Sequence, residues 1–321
     1  MKQLFKRLTG ALLAAACAAS LAQSWPSRPI RLIVPYAMGQ GTDIAARYIA
    51  DEVGKELRQP IVVDNRPGAA GNIGTQLAAR SAPDGYTIAI GTNATHAANS
   101  SLFANPGYDP QADFEPLAMV GILPLVYVTH PGSAIQTMQD LVRAARAKPD
   151  GLNVAVSTTT CRMAHELFKV RAEAPMFPVD FKGSAQALTA VIGGQVEFMV
   201  DTITSLRGAV LNQQVRALGV TSARGSRLLP GVKSLAEQGI AGYELVGWTT
   251  LYAPKGTSSE ILGMLSAAMQ KTLARADVQE KLLQMGIEPE AKSRDELKAF
   301  GEAEKEKWGR LIRAAGLKPA S

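Results

Sequence analysis

Cysteine and histidine are scarce in this chain. Among 321 residues there are two cysteines, Cys17 and Cys161, and three histidines, His96, His130 and His165. So few thiols exclude a disulfide framework. No H-x-x-x-H or H-E-x-x-H pair occurs, and Cys161 has no second cysteine nearby, so no metal site is expected. Cys161 stands beside Arg162, but no recognisable histidine and acid partners accompany it, and it reads as a spectator thiol. His165-Glu166 reads as a helix-surface pair. The G-x-S-x-G elbow and the G-x-x-x-x-G-K-[ST] phosphate loop are both missing. Gly39-Gln40-Gly41 lacks the third glycine of a dinucleotide fingerprint, Ala46 standing in its place, and Pro35-Tyr36 intrudes after the strand. The chain therefore reads as a non-enzyme without a cofactor. Basic residues interleaved with aromatics are also missing, so no nucleic-acid partner is expected.

What is present begins with Lys2, Lys6 and Arg7, followed by an apolar stretch over 8–19 and Ser20-Leu21-Ala22. This pattern predicts a secretory signal peptide over 1–22, cut after Ala22, and a periplasmic location. The apolar stretch is short for a membrane span, and no second one follows. Lipid attachment at Cys17 is the alternative; a large apolar residue would be expected three positions before it, where Ala14 stands. The segment carries three basic and no acidic residues, so half of the formal charge of +6 leaves with it and about +3 remains. One cysteine then remains, and the folded core must supply the stability. The rest of the chain is long for one compact core and suits two lobes.

Along that length strand, glycine-rich loop and helix alternate. The run at 30–34 (IRLIV) predicts a buried strand, 35–42 a turn of small residues, and 44–53 a helix with Asp43 as its N-cap. Strands are predicted again at 61–63 and 86–90, each leading into a loop rich in glycine or threonine. The rhythm resumes with strands at 153–156, 176–179, 196–200 and 217–220 and helices at 163–170, 187–192 and 203–211. A strand at 246–253 follows, then helices over 259–273, 278–285 and 295–315, the last expected to be a solvated outer helix. This order implies an α/β fold with parallel sheets flanked by helices, and ligands outside the carboxyl ends of the strands. Four turns fall at such edges: 39–43, 68–72, 158–162 and 182–184. Unpaired N–H groups at the helix starts there, with the helix dipole, suit a carboxylate or phosphate.

At these loops the sequence resembles the periplasmic substrate-binding receptors of tripartite tricarboxylate transporters, the Bug family. WPSRPIRLIVPYAMGQGTDIAARYIA and NRPGAAGNIGTQLAARSAPDGYTIAIGT carry most of the likeness. YDPQADFEPLAMV, GSAQALTAVIGGQVEFMVD, RALGVTSA and ELVGWTTLYAPKGT follow in the family's order. The resemblance implies a type II periplasmic-binding-protein fold: 25–123 with 245–321 as the larger, discontinuous lobe, 124–244 as the other, and a ligand cleft between them. It also implies capture of a small carboxylate by lobe closure, held between the first two loops partly through water. Membrane permease subunits are the implied partners of an expected monomer. A sensor that presents the bound solute to a membrane kinase is the alternative, and an exported enzyme a more distant one.

Matched position by position, the resemblance implies a site from Tyr36, Gly39, Gln40, Gly41, Thr42 and Asp43, with Gly68 and Gly71 in the second loop and Thr92, Thr95 and His96 in the third. From the other lobe come Thr160, Arg162, Asp180, Phe181, Lys182, Gly183 and Asp201. Asp43 is expected to cap its helix rather than touch an anion. Trp248, near the return crossover, either walls the cleft or packs the hinge. The chain departs from the family pattern at Gln40, where a glycine is usual, at Arg162, where histidine is usual, and at Pro178-Val179-Asp180-Phe181, where His-Val-Pro-Tyr is usual. Arg162 and Asp180 either pair with each other, leaving a neutral wall, or each contact the ligand, Arg162 through a second carboxylate and Asp180 through an ammonium or hydroxyl.

Overall fold

The computed structural model describes residues 25–317 and Pro319. The expected signal peptide over 1–22 and Cys17 lie outside the described residues. Among the described residues no helix is long and apolar enough to cross a membrane.

Three parallel strands open the fold: β1 (Ile30–Val34), β2 (Ile61–Asn65) and β3 (Thr87–Thr92). β1 lies between the other two, with Leu32 opposite both Val63 and Ile88. Helix α1 (Gly41–Leu57) connects β1 to β2 and buries Ala45, Ala46, Ile49, Ala50 and Val53 as one apolar stripe. It stops at Arg58, whose left-handed φ of 53° turns its N–H back onto the carbonyls of Gly54 and Lys55. Helix α2 (Asn72–Ala79) returns from β2 towards β3. A π-helical turn (Ala94–Ala98) and a short helical turn (Asn99–Leu102) follow β3.

The chain then crosses between halves on one strand of 16 residues, β4 (Phe114–Thr129). Phe114 to Pro124 pair antiparallel with β9 (Val246–Pro254). From Leu125 onward the same strand pairs antiparallel with β7 (Phe198–Thr202) on one side and β8 (Arg216–Val220) on the other. Sequence pattern had not marked β4, because Pro116, Gly121 and Pro124 interrupt it. Register shifts at Pro116/Ala118 and Met119/Gly121 absorb two of these breaks.

The second half orders its strands β8, β4, β7, β5 (Leu152–Val156) and β6 (Met176–Asp180). β5 runs parallel to both β6 and β7. The sheets are thus mixed: parallel within each βαβ series, antiparallel at the strands that carry the chain across. Helix α3 (Met138–Ala147) was not anticipated, although Thr137 and Asp140 form a capping box at its start. Helices α4 (Thr159–Ala172), α5 (Ser184–Ile192) and α6 (Ile203–Leu211) flank the second sheet. Strand β7 sits two residues later than the expected 196–200. The final helices are α7 (Ser259–Leu273), α8 (Ala276–Gln284) and α9 (Arg294–Ala314).

Two expectations about surfaces are corrected. α9 is not merely a solvated outer helix. Leu297, Gly301, Glu304, Trp308 and Ile312 form a buried stripe along it. The Glu304 carboxylate accepts hydrogen bonds from the indole N–H groups of both Trp248 (2.8 Å) and Trp308 (3.0 Å). His165 and Glu166 are not a helix-surface pair either. Both are buried on α4, and His165 lies against Phe198 of β7.

Candidate functional site

The carboxyl ends of β1 and β3 face those of β5 and β7, and the loops leaving them meet across the junction between halves. Asn93, just after β3, donates from Nδ2 to Oγ1 of Thr160 in the first turn of α4, at 2.8 Å. Gly41, the first residue of α1, approaches Thr202 so closely that a Cβ there would lie 2.5 Å from Thr202 Oγ1. Gly183, after β6, faces Ala37 more loosely: a Cβ there would lie 4.0 Å from the Ala37 Cβ. These contacts define a closed arrangement.

A small cavity of about 30 Å³ lies within this junction. The first half supplies Tyr36, Gln40, Gly41, Thr42, Thr92 and Asn93 to its wall. Thr158, Thr160, Asp201 and Thr202 close it from the second half, and Leu123 with 247–249 from the crossover strands. The volume holds about one water. Among the described residues the wall carries no cationic side chain; its donors are hydroxyls, amides and main-chain N–H groups.

Each element aims a specific group here. α1 begins after Gln40, whose backbone is extended and whose side chain makes no cap to the helix. The N–H groups of Gly41 and Thr42 are accordingly left without an acceptor among the described residues. Gln40 instead turns Oε1 back to accept from the N–H of Ala37 at 3.1 Å, bracing its own loop. Asp43 is not the N-cap. It is the third helical residue, and its carboxylate accepts from the N–H of Gly39 at 2.8 Å and from Arg47 and Asn65. Burial would raise its pKa, but Arg47, Gly39 and Asn65 outweigh burial and hold the carboxyl below its ordinary value. Asp43 thus fixes the shape of the first loop and does not line the cavity.

The Tyr36 hydroxyl shares a hydrogen bond of 2.7 Å with Thr92 Oγ1. Burial raises its pKa to about 12, partly offset by that bond, so it stays a neutral donor. Thr92 Oγ1 also accepts from the N–H of Ala94 at 3.2 Å, holding the turn after β3. Across the junction, Thr158 caps α4 by accepting from the N–H of Cys161 at 3.1 Å. Thr202 caps α6 by accepting from the N–H of Ser205 at 3.2 Å. Asp201 is buried, with its carboxylate on Ser157 Oγ (2.6 Å) and the N–H of Thr202 (2.7 Å). Burial raises its pKa against those hydrogen bonds. Cys161, behind Thr158, is buried with its thiol pKa pushed upward, mainly by burial, which disfavours the thiolate.

Several expected site residues stand elsewhere. His96 is in the core: its ring stacks on Tyr252 at 4.0 Å, and burial lowers its pKa to about 3. Thr95 bonds to His96 Nδ1 at 2.9 Å and lines neither cavity described here. The Trp248 indole packs on Phe300 and donates to Glu304 of α9, and the residue borders the cavity. Gly68 and Gly71 shape the second loop, where residues 68–71 all have positive φ. Gly39, Gly68, Gly71, Lys182 and Gly183 lie outside both cavities, and Lys182 points to solvent. Asn93 was not among the expected residues; an asparagine after a strand is indistinguishable in sequence from an ordinary turn residue.

Beyond Thr158, which borders both spaces, lies a larger cavity of about 410 Å³. Arg162, Asp180 and Phe181 line it together with Ala70, Phe103 and Met163. Arg162 Nη2 and Asp180 Oδ2 are 2.5 Å apart, so of the two arrangements open from sequence the structure adopts the mutual pair.

The family described as "Tripartite tricarboxylate transporter family receptor" matches residues 45–317. Among solved structures, Rhodopseudomonas palustris Rpa4515 with adipate is 33% identical, with a TM-score of 0.89 over 92% of this chain and 100% of that one. The periplasmic binding protein BugD is 28% identical (TM-score 0.86), over 92% of this chain and 100% of its own. MatC from Rhodopseudomonas palustris with bound malate is 29% identical (TM-score 0.84), over 90% of this chain and 100% of its own.

Proposed function

The chain belongs to the tripartite tricarboxylate transporter receptor family, a family of periplasmic solute-binding receptors rather than enzymes, and from that premise we propose that it captures a small carboxylate between its lobes and delivers it to membrane permease subunits. One observation carries the choice of ligand. The unpaired N–H groups of Gly41 and Thr42 at the start of a 17-residue helix open into a junction lined by Tyr36, Thr92, Asn93 and Thr160. The positive end of the helix dipole and a ring of neutral donors favour an anion without a buried countercharge. Among the described residues the one charged side chain on that wall is Asp201, and its oxygens are engaged by Ser157 and Thr202. The adipate and malate carried by two related structures agree with this class.

Capture proceeds by closure. The lobe of β1–β3 presents the donors first. The second lobe swings over and makes the Asn93–Thr160 bond, and displaced water strengthens each polar contact. The division into lobes follows β4, which changes partner between Pro124 and Leu125. Titration calorimetry of the purified protein against succinate, malate, adipate, citrate, aspartate and glutamate tests the proposal. Saturable heat with at least one of them, lost at pH values that protonate the acid, is the expected result. No heat from any of them, with a folded protein, overturns it.

A further inference from the structure

The cavity beyond Thr158 has a chemistry different from the junction it adjoins. Leu102, Phe103 and Ala70 wall it from one lobe, and Met163 and Phe181 from the other. Into this largely apolar space projects Arg162, the one cation lining it among the described residues, at the fourth position of α4. The guanidinium has five N–H donors in a fork that matches a carboxylate. Only Nη2 is engaged, by Asp180; Nε and Nη1 have no partner among the described residues. The Asp180 side chain is 73% exposed, against 32% for Arg162. An ion pair so open to water contributes little, so the aspartate is a replaceable partner for a drier guanidinium.

We propose that Arg162 is a specificity determinant that receives the distal carboxylate of an α,ω-dicarboxylate with an apolar spacer. The proximal carboxylate sits on the first-turn amides of α1, the spacer passes Thr158 and lies between Phe103, Met163 and Phe181, and Asp180 is the resident competitor that the ligand displaces. This assignment rests on the reading of the junction as a carboxylate seat.

Calorimetry with succinate through suberate and the matched monocarboxylates, butyrate through octanoate, separates the two claims. In the wild type the dicarboxylate of the best-fitting length binds more tightly than its monocarboxylate. In Arg162→Gln the dicarboxylate loses roughly ten- to a hundredfold in affinity, the scale of one hydrogen bond to a charged group, while the monocarboxylate stays within about twofold. Asp180→Asn, at a largely exposed position, tightens the dicarboxylate by removing the competing charge. The assignment is overturned if Arg162→Gln weakens both acids equally or neither, if Asp180→Asn weakens the dicarboxylate, or if the wild type does not distinguish the two series. A wild type that binds no acid of either series overturns the carboxylate seat itself, and this assignment with it.

Discussion

Replacing Gly41 by alanine should separate closure from folding. Gly41 has no positive φ, so alanine fits its backbone, and in either state of the cleft the new methyl favours the start of α1 by about 0.5–1 kcal/mol. Closure is where it fails. The Cβ would lie 2.5 Å from Thr202 Oγ1, 3.3 Å from Thr202 Cβ and 3.4 Å from Leu123 Cδ2. Thr202 cannot rotate away freely, because its Oγ1 accepts from the N–H of Ser205 as the cap of α6. Giving up that cap costs about 1 kcal/mol. Holding it forces the lobes apart or compresses the contact, and overpacking of this kind costs about 1–3 kcal/mol. The variant should therefore bind carboxylate about five- to 150-fold more weakly, while its unliganded melting temperature is unchanged or slightly higher. Calorimetry and thermal melting read the two quantities separately. Thr202→Ala added to Gly41→Ala removes the closest atom and should restore part of the affinity. Undiminished binding by Gly41→Ala, or a variant that unfolds, would refute the account of the junction as a closing surface.

Asn93→Ala removes the 2.8 Å bond between the turn after β3 and Thr160 at the start of α4; the loss of about 1 kcal/mol should appear as roughly fivefold weaker carboxylate binding by calorimetry. Trp248→Phe keeps an aromatic ring at this position but leaves Glu304 with one indole donor fewer. Denaturant titration should show a loss of about 1–3 kcal/mol, with binding affinity nearly preserved. Stability should also fall with acid. Burial holds His96 and His165 at pKa values of about 3, against 6.5 when exposed. Unfolding lets both take up protons, so their contribution is complete above pH 6.5 and is lost as pH falls towards 3, at up to about 1.4 kcal/mol per pH unit per histidine. Asp201, whose carboxyl burial raises, has the opposite sign. Denaturant titrations at pH 7 and pH 5 measure the net slope, and His165→Gln should reduce it by about one proton.

The parts of this molecule legible in the sequence are those governed by local physics. The run at 30–34, its glycine-containing turn and the apolar stripe of α1 announce a βα unit, because a buried parallel strand needs a mainly apolar run, here broken only by the half-buried Arg31. β4 is illegible for the converse reason. Two prolines and a glycine break the regular pattern of its first part, which is held as a bulged strand by pairing with β9, more than a hundred residues away. The first loop was legible as a turn of small residues leading into a helix, but the position of Asp43 in it depends on whether the helix begins at Gly41 or three residues later. Histidines expose the limit most clearly: nothing near His96 in the chain says that Tyr252 of β9 will stack on its ring. The Arg162–Asp180 pair was open to two arrangements until the parallel pairing of β5 with β6 set Asp180 beside α4.

The central claim is that main-chain amides at the start of α1 hold a carboxylate while the two lobes close over it. A crystal structure of the protein grown with a saturating dicarboxylate tests this most directly. The account predicts one carboxylate group within hydrogen-bond reach of the N–H groups of Gly41 and Thr42, with Asn93 and Thr160 still joined across it. A carboxylate ordered elsewhere on the molecule, with those amides facing only solvent, would contradict it.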